Sequence, residues 1–453
     1  MADKKKPLSR HVLILSLSLN IGLILRLLYV DENWEAERGI HAAFCMEDNH
    51  QQTGGASKLE IYSQVIGKMK SVSSSISPSY DTRMQVENRD RIVNLDHGDP
   101  TMYQSFWEQM GDKTTVVING WNFISYFSDA KNLCWFVEPD FVRAVVRLHK
   151  LVGNAITQGR HIVVGTGSSQ LYQAAIYALS PNESPDPMSV VSAAPYYSSY
   201  PLMTDFLKSG LHKWAGDAQN FSKSGPYIEL VTTPNNPDGS TRGAVVNRNE
   251  GLLVHDYAYF WPQYTPISFV ADEELMLFTV SKSTGHAGTR IGWAVVKDEE
   301  VARKMTKYIE LNTIGVSKES QIRAAKILNV VADTYDELGN PKEDAFFEHG
   351  YRIMTKRWNQ LREAVKRNNL FSLPKFSSSF CNFSHRKYEA NPAFAWLKCE
   401  GDIEDCEKFM REHKILTRGG KHFGFSTKYV RISMLDLDAN FDLFTERLSR
   451  IRQ

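Results

Sequence analysis

Cysteine is scarce in this chain. Its 453 residues hold five cysteines, Cys45, Cys134, Cys381, Cys399 and Cys406, with no Cys-x-x-Cys among them. That spacing excludes a disulfide-stapled scaffold and a zinc site built on cysteine pairs. An excess of one charge is missing too. The 53 basic and 52 acidic residues leave a net charge of +1, so bulk electrostatics give no reason to expect nucleic acid as a partner. His97, His149 and His286 stand at no metal-ligand spacing, and no metal is expected. No internal repeat is visible. What remains is 42% hydrophobic and 23% charged, a composition that excludes disorder and collagen and can fill large cores.

One long apolar run occupies residues 12–30, behind Lys4, Lys5, Lys6 and Arg10. A spanning helix needs about 20 mostly apolar residues. This run is slightly short and carries Asn20 and Arg26. It reads as a signal-anchor helix or as a cleaved signal peptide. Arg26-Leu27-Leu28-Tyr29-Val30 offers no small-x-small cleavage site, which favours the anchor, and Arg26 can snorkel to the interface. The run is apolar on all faces, which argues against a buried amphipathic helix. The expectation for residues 1–30 is a membrane anchor or signal segment, single-pass, in the endoplasmic reticulum. The basic flank places the N-terminus on the cytoplasmic side. Sequons at Asn182, Asn220 and Asn382 arise often by chance and leave the side occupied by the body open. Residues 31–90 are polar, with a serine-rich stretch at 71–79, and read as a linker.

From residue 91 the pattern becomes globular. Pro139 opens a helix whose apolar face is Phe141, Val145, Leu148, Val152 and Ile156. Short β-rich runs at 161–164, 190–193, 228–232, 252–255, 276–280 and 291–296 alternate with helical or loop segments, including a helix over 168–179. This predicts an α/β domain, residues 91–315, with a mostly parallel mixed sheet covered on both faces. Helices at 321–338 and 352–367 with strands at 393–397 and 429–434 predict a smaller α+β domain, residues 316–453.

Five segments carry candidate chemistry. Gly165-Thr166-Gly167-Ser168-Ser169-Gln170 joins a strand to a helix, where backbone N–H groups and hydroxyls make an anion site. It lacks the P-loop lysine, and Gln170 replaces the third glycine of a dinucleotide fingerprint, so a single phosphate fits better than a pyrophosphate. An ordinary strand–helix turn has the same composition. Asn236, in Pro234-Asn235-Asn236-Pro237-Asp238-Gly239, could aim its amide at a ligand oxygen or serve a turn. Asp256, at the end of a strand, could pair with a protonated ring nitrogen or cap a helix, and Tyr259 could donate to a phenolate-like oxygen. Lys282 follows a buried strand, where an amine of lowered pKa condenses with aldehydes, and Arg290, eight residues on, matches a phosphate. Tyr197 could stack on a flat ring or pack as a core aromatic. A phosphate cradle, a stacking ring, an acid for a ring nitrogen, donors to a ring oxygen and an amine for an aldehyde together make the requirement list of pyridoxal 5′-phosphate.

The runs Asn94-Leu95-Asp96-His97-Gly98-Asp99-Pro100-Thr101, Ser125-Tyr126-Phe127-Ser128-Asp129, Asn132-Leu133-Cys134-Trp135-Phe136 and Ser281-Lys282-Ser283-Thr284-Gly285-His286-Ala287-Gly288-Thr289-Arg290, with the loops above, cover roughly residues 91–445. They resemble the plant tryptophan aminotransferase-related, alliinase-like family of fold-type I pyridoxal-phosphate enzymes. The resemblance implies Lys282 as the amine joined to the cofactor aldehyde, Asp256 on the ring nitrogen, and Asn236 and Tyr259 on the ring oxygen. It implies Ser168, Ser169, Ser281 and Arg290 around the phosphate, beside Gly167, with Tyr103 reaching it near a dimer interface. Arg431 would clamp the substrate α-carboxylate, and Gly120 and Trp121 would belong to a substrate-side loop. The implied assembly is a homodimer.

Two fates of the substrate fit such a site. Transamination of L-tryptophan to indole-3-pyruvate, with pyruvate or another 2-oxo acid as acceptor, is the auxin-forming reaction the resemblance suggests. Elimination from S-alkyl-cysteine sulfoxides is the alliinase reaction. Alliinases carry a cysteine-rich, epidermal-growth-factor-like segment before the body, whereas residues 1–90 hold only Cys45, which favours transamination. A paralogue that binds ligand without turnover is a third possibility, opposed by the intact set of Lys282, Asp256, Asn236, Tyr259, Arg290 and Arg431.

Overall fold

The computed structural model describes residues 90–181 and 186–452. The apolar run at 12–30, the linker and the sequon asparagine Asn182 lie outside the described residues. Among the described residues no helix is long and apolar enough to cross a membrane.

Seven strands build the large sheet: β1 (His161–Gly165), β2 (Met188–Ser192), β3 (His212–Asp217), β4 (Tyr227–Thr232), β5 (Gly251–Asp256), β6 (Leu275–Thr279) and β7 (Gly292–Val296). Their order is β1-β7-β6-β5-β4-β2-β3, with β7 antiparallel to both neighbours and every other pairing parallel. Strands β2, β4, β6 and β7 are buried along their whole length; β6 and β7 read as apolar runs, while β2 carries Ser189 and Ser192 and β4 carries Glu229. Edge strand β3 escaped the sequence reading. Its His-Lys-Trp-Ala-Gly-Asp composition is half-polar and includes Gly216 at φ +91°.

Helix α1 (Pro139–Val152) starts with its proline in the first turn and stops at Gly153, which is left-handed at φ 68°. The expected apolar face therefore ends at Val152, and Ile156 lies beyond the helix and is exposed. Helix α2 (Gly167–Leu179) follows β1. Helix α3 (Glu299–Thr313), which the sequence reading missed, is capped by the Asp298 carboxylate accepting from Val301 N at 2.8 Å. Helix α4 (Lys318–Asp333) is capped by Ser317 and ends five residues before the expected 338, where Tyr335 bridges to Pro341. Helix α5 (Phe346–Lys366) starts earlier than the expected 352, because Phe346 and Phe347 anchor its first turn in the core.

A second sheet of four strands contains β8 (Phe371–Ser372), β9 (Phe394–Cys399), β10 (Arg418–Gly419) and β11 (Tyr429–Ser433), in the order β10-β11-β9-β8 and antiparallel throughout. Cys399, the last residue of β9, forms a disulfide with Cys406 at the start of helix α6 (Cys406–Glu412). Val93–Asn94 pairs in parallel with Ile415–Leu416, so the beginning of the described chain is stitched to its C-terminal part.

One buried polar cluster fixes β7 against helix α1. Trp293 Nε1 donates to His149 Nε2 at 3.0 Å, and His149 Nδ1 lies 2.8 Å from Asn154 Oδ1. Burial lowers the His149 pKa to about 4, so the ring is neutral at pH 7 and its Nε2 can accept. Trp293 also stacks on Phe278 of β6 at 5.8 Å. Trp293→Phe leaves a buried acceptor unsatisfied, which costs about 1–3 kcal/mol. A lowered urea midpoint with unchanged slope is the expected result, and an unchanged midpoint would show that the bond contributes nothing.

Candidate active site

Parallel sheets carry ligand crevices at the carboxyl ends of their strands. Here β4 ends at Thr232, β5 at Asp256 and β6 at Thr279, and these ends open on one cavity of about 310 Å³. Its lining includes Ser168, Ser169, Tyr197, Asn236, Asp256, Tyr259, Ser281, Lys282, Arg290 and Arg431, ten of the residues picked out in the sequence. It also includes His97, Gly98, Thr232, Thr279, Phe394 and Arg418, which were not assigned a role.

The anion end is built by α2 and Arg290. Gly167 opens the helix at φ +74°, and a Cβ there would lie 2.5 Å from Arg290 Nη2. Glycine thus lets the guanidinium lie against the helix N-terminus, where backbone N–H groups and the hydroxyls of Ser168 and Ser169 add donors. Arg290 is itself left-handed at φ 54°, an uncommon backbone for arginine, and its Nη1 is held by Ala287 O at 2.8 Å and Ser281 Oγ at 3.5 Å.

At the opposite end Asp256 is buried, and burial raises its pKa. Its Oδ2 accepts from Tyr200 OH at 2.8 Å and its Oδ1 from Ala258 N at 3.1 Å. Tyr200 OH also lies 2.8 Å from Thr232 Oγ1. Tyr200, three residues after Tyr197, is the partner that sequence reading missed. Asp256 forms no ion pair among the described residues, so the carboxylate is set to meet a cationic ligand atom.

Lys282 projects from a short helical turn, Val280–Ser283, whose cap is Thr279 Oγ1 accepting from Ser281 N at 3.2 Å. Its Nζ donates to Gly98 O and lies 5.9 Å from the Tyr259 ring centroid. Burial, reinforced by the Arg431 charge, pulls its pKa down to about 8. Arg431, at mid-strand in β11, is 3% exposed. Its Nη1 donates to Asn236 Oδ1 at 3.2 Å, its Nη2 to Asp96 O, and its Nε has no partner. The guanidinium lies 4.2 Å from the Phe394 ring centroid. Burial lowers its pKa to about 10, which leaves it charged at neutral pH. A buried guanidinium with an orphaned Nε and, among the described residues, no carboxylate in ion-pair range calls for an anionic ligand.

Four expected residues lie outside the cavity lining. Gly167 acts from beneath, as described. Tyr103 is buried in the core instead, its ring 5.0 Å from Phe346 and its hydroxyl donating to Tyr264 OH at 3.0 Å. Tyr264 OH in turn donates to Lys282 O at 3.2 Å, so within this chain Tyr103 supports the backbone of the lysine rather than reaching a phosphate. Gly120 and Trp121 do not join the cavity either. Trp121 is 71% exposed, on a segment with no sheet partner to carry it inward.

Two outcomes follow from this geometry. In cofactor-free protein, modification of Lys282 by an amine-directed reagent should rise with pH and reach half its maximum near pH 8, because the neutral amine is the reactive form. A midpoint in the ordinary lysine range would contradict the burial account. Gly167→Ala should weaken binding of a phosphorylated cofactor about tenfold or more, measured by equilibrium dialysis, since its Cβ displaces Arg290.

Comparison with known proteins agrees with this architecture. Residues 93–452 match the family described as allinase. A tryptophan aminotransferase-related protein 2 of Arabidopsis thaliana is 55% identical over 441 residues, covering 97% of this chain and 96% of that protein. An alliin lyase of Allium cepa var. aggregatum is 35% identical over 355 residues, 76% of this chain and 78% of the lyase. An aspartate aminotransferase of Thermus thermophilus shares the fold at a TM-score of 0.55 and 16% identity, covering 88% of this chain and all of that one. The sheet order, the strand-end cavity and these similarities converge: the chain belongs to the alliinase family, alongside the plant tryptophan aminotransferase-related proteins, within the pyridoxal 5′-phosphate-dependent enzymes of fold type I.

Proposed function

We propose that the protein is an aminotransferase that takes the amino group of L-tryptophan, releasing indole-3-pyruvate, and passes it to pyruvate or another 2-oxo acid. The observation that supports this most is the pairing of a Lys282 amine whose pKa desolvation pulls down to about 8 with a buried Arg431 that forms no ion pair among the described residues. The 55% identity to a tryptophan aminotransferase-related protein, against 35% to an alliin lyase, favours transamination over elimination.

The residues fit the cofactor. Asp256 offers a buried carboxylate without a cation, suited to a protonated pyridine nitrogen, and the Gly167–Arg290 contact leaves a phosphate cradle that a side chain would fill. When bound, pyridoxal 5′-phosphate supplies an aldehyde for the amine and a cationic ring that accepts electrons from the substrate Cα. Ser168, Ser169, Ser281 and Arg290 would hold the phosphate, Tyr197 would stack on the ring, and Asn236 and Tyr259 would bind the ring oxygen. Arg431 grips the α-carboxylate and turns the Cα–H bond toward Lys282. Lys282 Nζ would take the substrate Cα proton as general base. Its lowered pKa keeps a useful fraction of the amine neutral near pH 7.

Elimination from an S-alkyl-cysteine sulfoxide uses the same proton removal and needs only a leaving group on Cβ. The exposed apolar residues Val117, Trp121, Ile124 and Tyr126 support a homodimer that covers them, and the run at 12–30 supports a membrane-attached location.

Purified protein given tryptophan and pyruvate should produce indole-3-pyruvate and alanine, and Lys282→Ala should abolish this. Release of pyruvate and ammonia from an alkyl-cysteine sulfoxide, with no product from tryptophan, would make it a lyase. Arg431→Ala should raise the KM for tryptophan about a hundredfold, and an unchanged KM would remove it from carboxylate binding.

A further inference from the structure

Arg431 carries a buried charge that no acid balances. Among the described residues it forms no ion pair, and it donates only to the side-chain oxygen of Asn236 and the backbone oxygen of Asp96. Burial works against its charge, and so does Arg418, which stands directly opposite it in the register of β10 and β11. A buried cation needs a favourable electrostatic neighbour. Two rings supply one. The guanidinium carbon lies over Phe394, 4.2 Å from the ring centroid, and over Phe423, at 5.3 Å. A cation within about 6 Å of a ring centroid is attracted by the negative ring face, more strongly where water is excluded. Both phenylalanines are buried.

The rings are themselves held. Phe394 opens β9 with its tip against Gly98, where a Cβ would lie 3.0 Å from Phe394 Cζ, and it makes a T-shaped pair with Tyr259 at 5.5 Å. Phe423 ends the turn Gly420–Phe423 after β10. Trp396 packs on it in a second T-shaped pair at 5.4 Å, and its carbonyl accepts from Tyr196 N at 3.1 Å. Rings packed in this way fix the guanidinium in one place. The acid that could claim Arg431 instead is Asp96. Its backbone oxygen already takes Arg431 Nη2, and its carboxylate lies 3.8 Å from Arg418 Nη2. An ion pair there would neutralise the arginine and compete with an anionic ligand, whereas a ring face holds the cation without cancelling its charge. We propose that Phe394 and Phe423 are positioning residues: their faces hold the Arg431 guanidinium away from the Asp96 carboxylate, so that its charge stays free for a ligand carboxylate. This rests on the reading of Arg431 as the group that binds the substrate acid, and identifies what keeps it ready.

Calorimetric titration of the cofactor-loaded protein with indole-3-propionate and with its carboxamide tests this, because the two differ in head-group charge and neither has an amino group to react. The wild type should bind the acid at least about tenfold more tightly, and Arg431→Met should bring that ratio close to one. A ring-fluorinated phenylalanine installed at position 394 keeps the shape of the side chain and weakens its negative face. It should lower the ratio about fivefold, and the same replacement at position 423, the more distant ring, should lower it less. Asp96→Asn should restore the ratio in the fluorinated protein, by more than it changes the ratio in the wild type. An unchanged or raised ratio on fluorination, equal weakening of acid and amide, or no rescue by Asp96→Asn overturns the proposal. A wild type that binds neither ligand or shows no preference removes Arg431 from carboxylate binding, and the proposal with it. A preference that depends on Arg431 but ignores fluorination keeps the carboxylate reading and loses the rings. A protein that responds to fluorination as expected but yields nothing from tryptophan keeps the rings and loses the aminotransferase reading.

Discussion

Lys282 Nζ sits where its positive charge is costly. It is half-buried in the cavity, its hydrogen-bond acceptor is the uncharged carbonyl of Gly98, and the Arg431 guanidinium adds repulsion to the desolvation. The site follows from that constraint. An amine of ordinary pKa would be almost wholly protonated at pH 7, and neither a nucleophile nor a base. Desolvation does the tuning, and the fold supplies it through the large sheet below, Phe394 of the smaller sheet beside it, and the Tyr103–Tyr264 pair that holds the lysine backbone.

The charges around the cavity are arranged by the same logic. Positive groups line it at three places: Arg290 at the helix N-terminus, Lys282 at the centre and Arg431 with Arg418 on the smaller sheet. Asp256 faces them from the end of β5, held by Tyr200. A ligand with a phosphate at one end, a cationic ring atom at the other and a carboxylate on its partner would satisfy each group once. Apart from its ligand, the cavity is an unbalanced concentration of cations.

Much of this was legible in the sequence, for physical reasons. Strands buried on both faces leave largely apolar runs, so β2, β4, β6 and β7 stood out, and the residues at strand ends pointed to a crevice. Lys282, Asp256 and Asn236 were visible because a charged or amide group just after such a run is unusual. Tyr200 was not, because Tyr196, Tyr197 and Tyr200 lie in one run and only the fold chooses which meets Asp256. Arg418 was not, because its meaning depends on the register that sets it opposite Arg431. The Cys399–Cys406 bond depends on β9 and α6 meeting at their ends. Within this chain Tyr103 and Trp121 lie outside the cavity lining, because their motif is local but where a loop goes is decided by packing elsewhere. Strand β3 was missed because its polar content hides the period, whereas helix α3 carries a helical period at Ala302, Met305 and Ile309 that was open to reading.

The most direct test of this account is to reduce the cofactor-saturated protein with borohydride, digest it and map the modified peptide by mass spectrometry. The account predicts a single reduced pyridoxyl adduct on Lys282. An unmodified Lys282, or a label carried by another lysine, would contradict it.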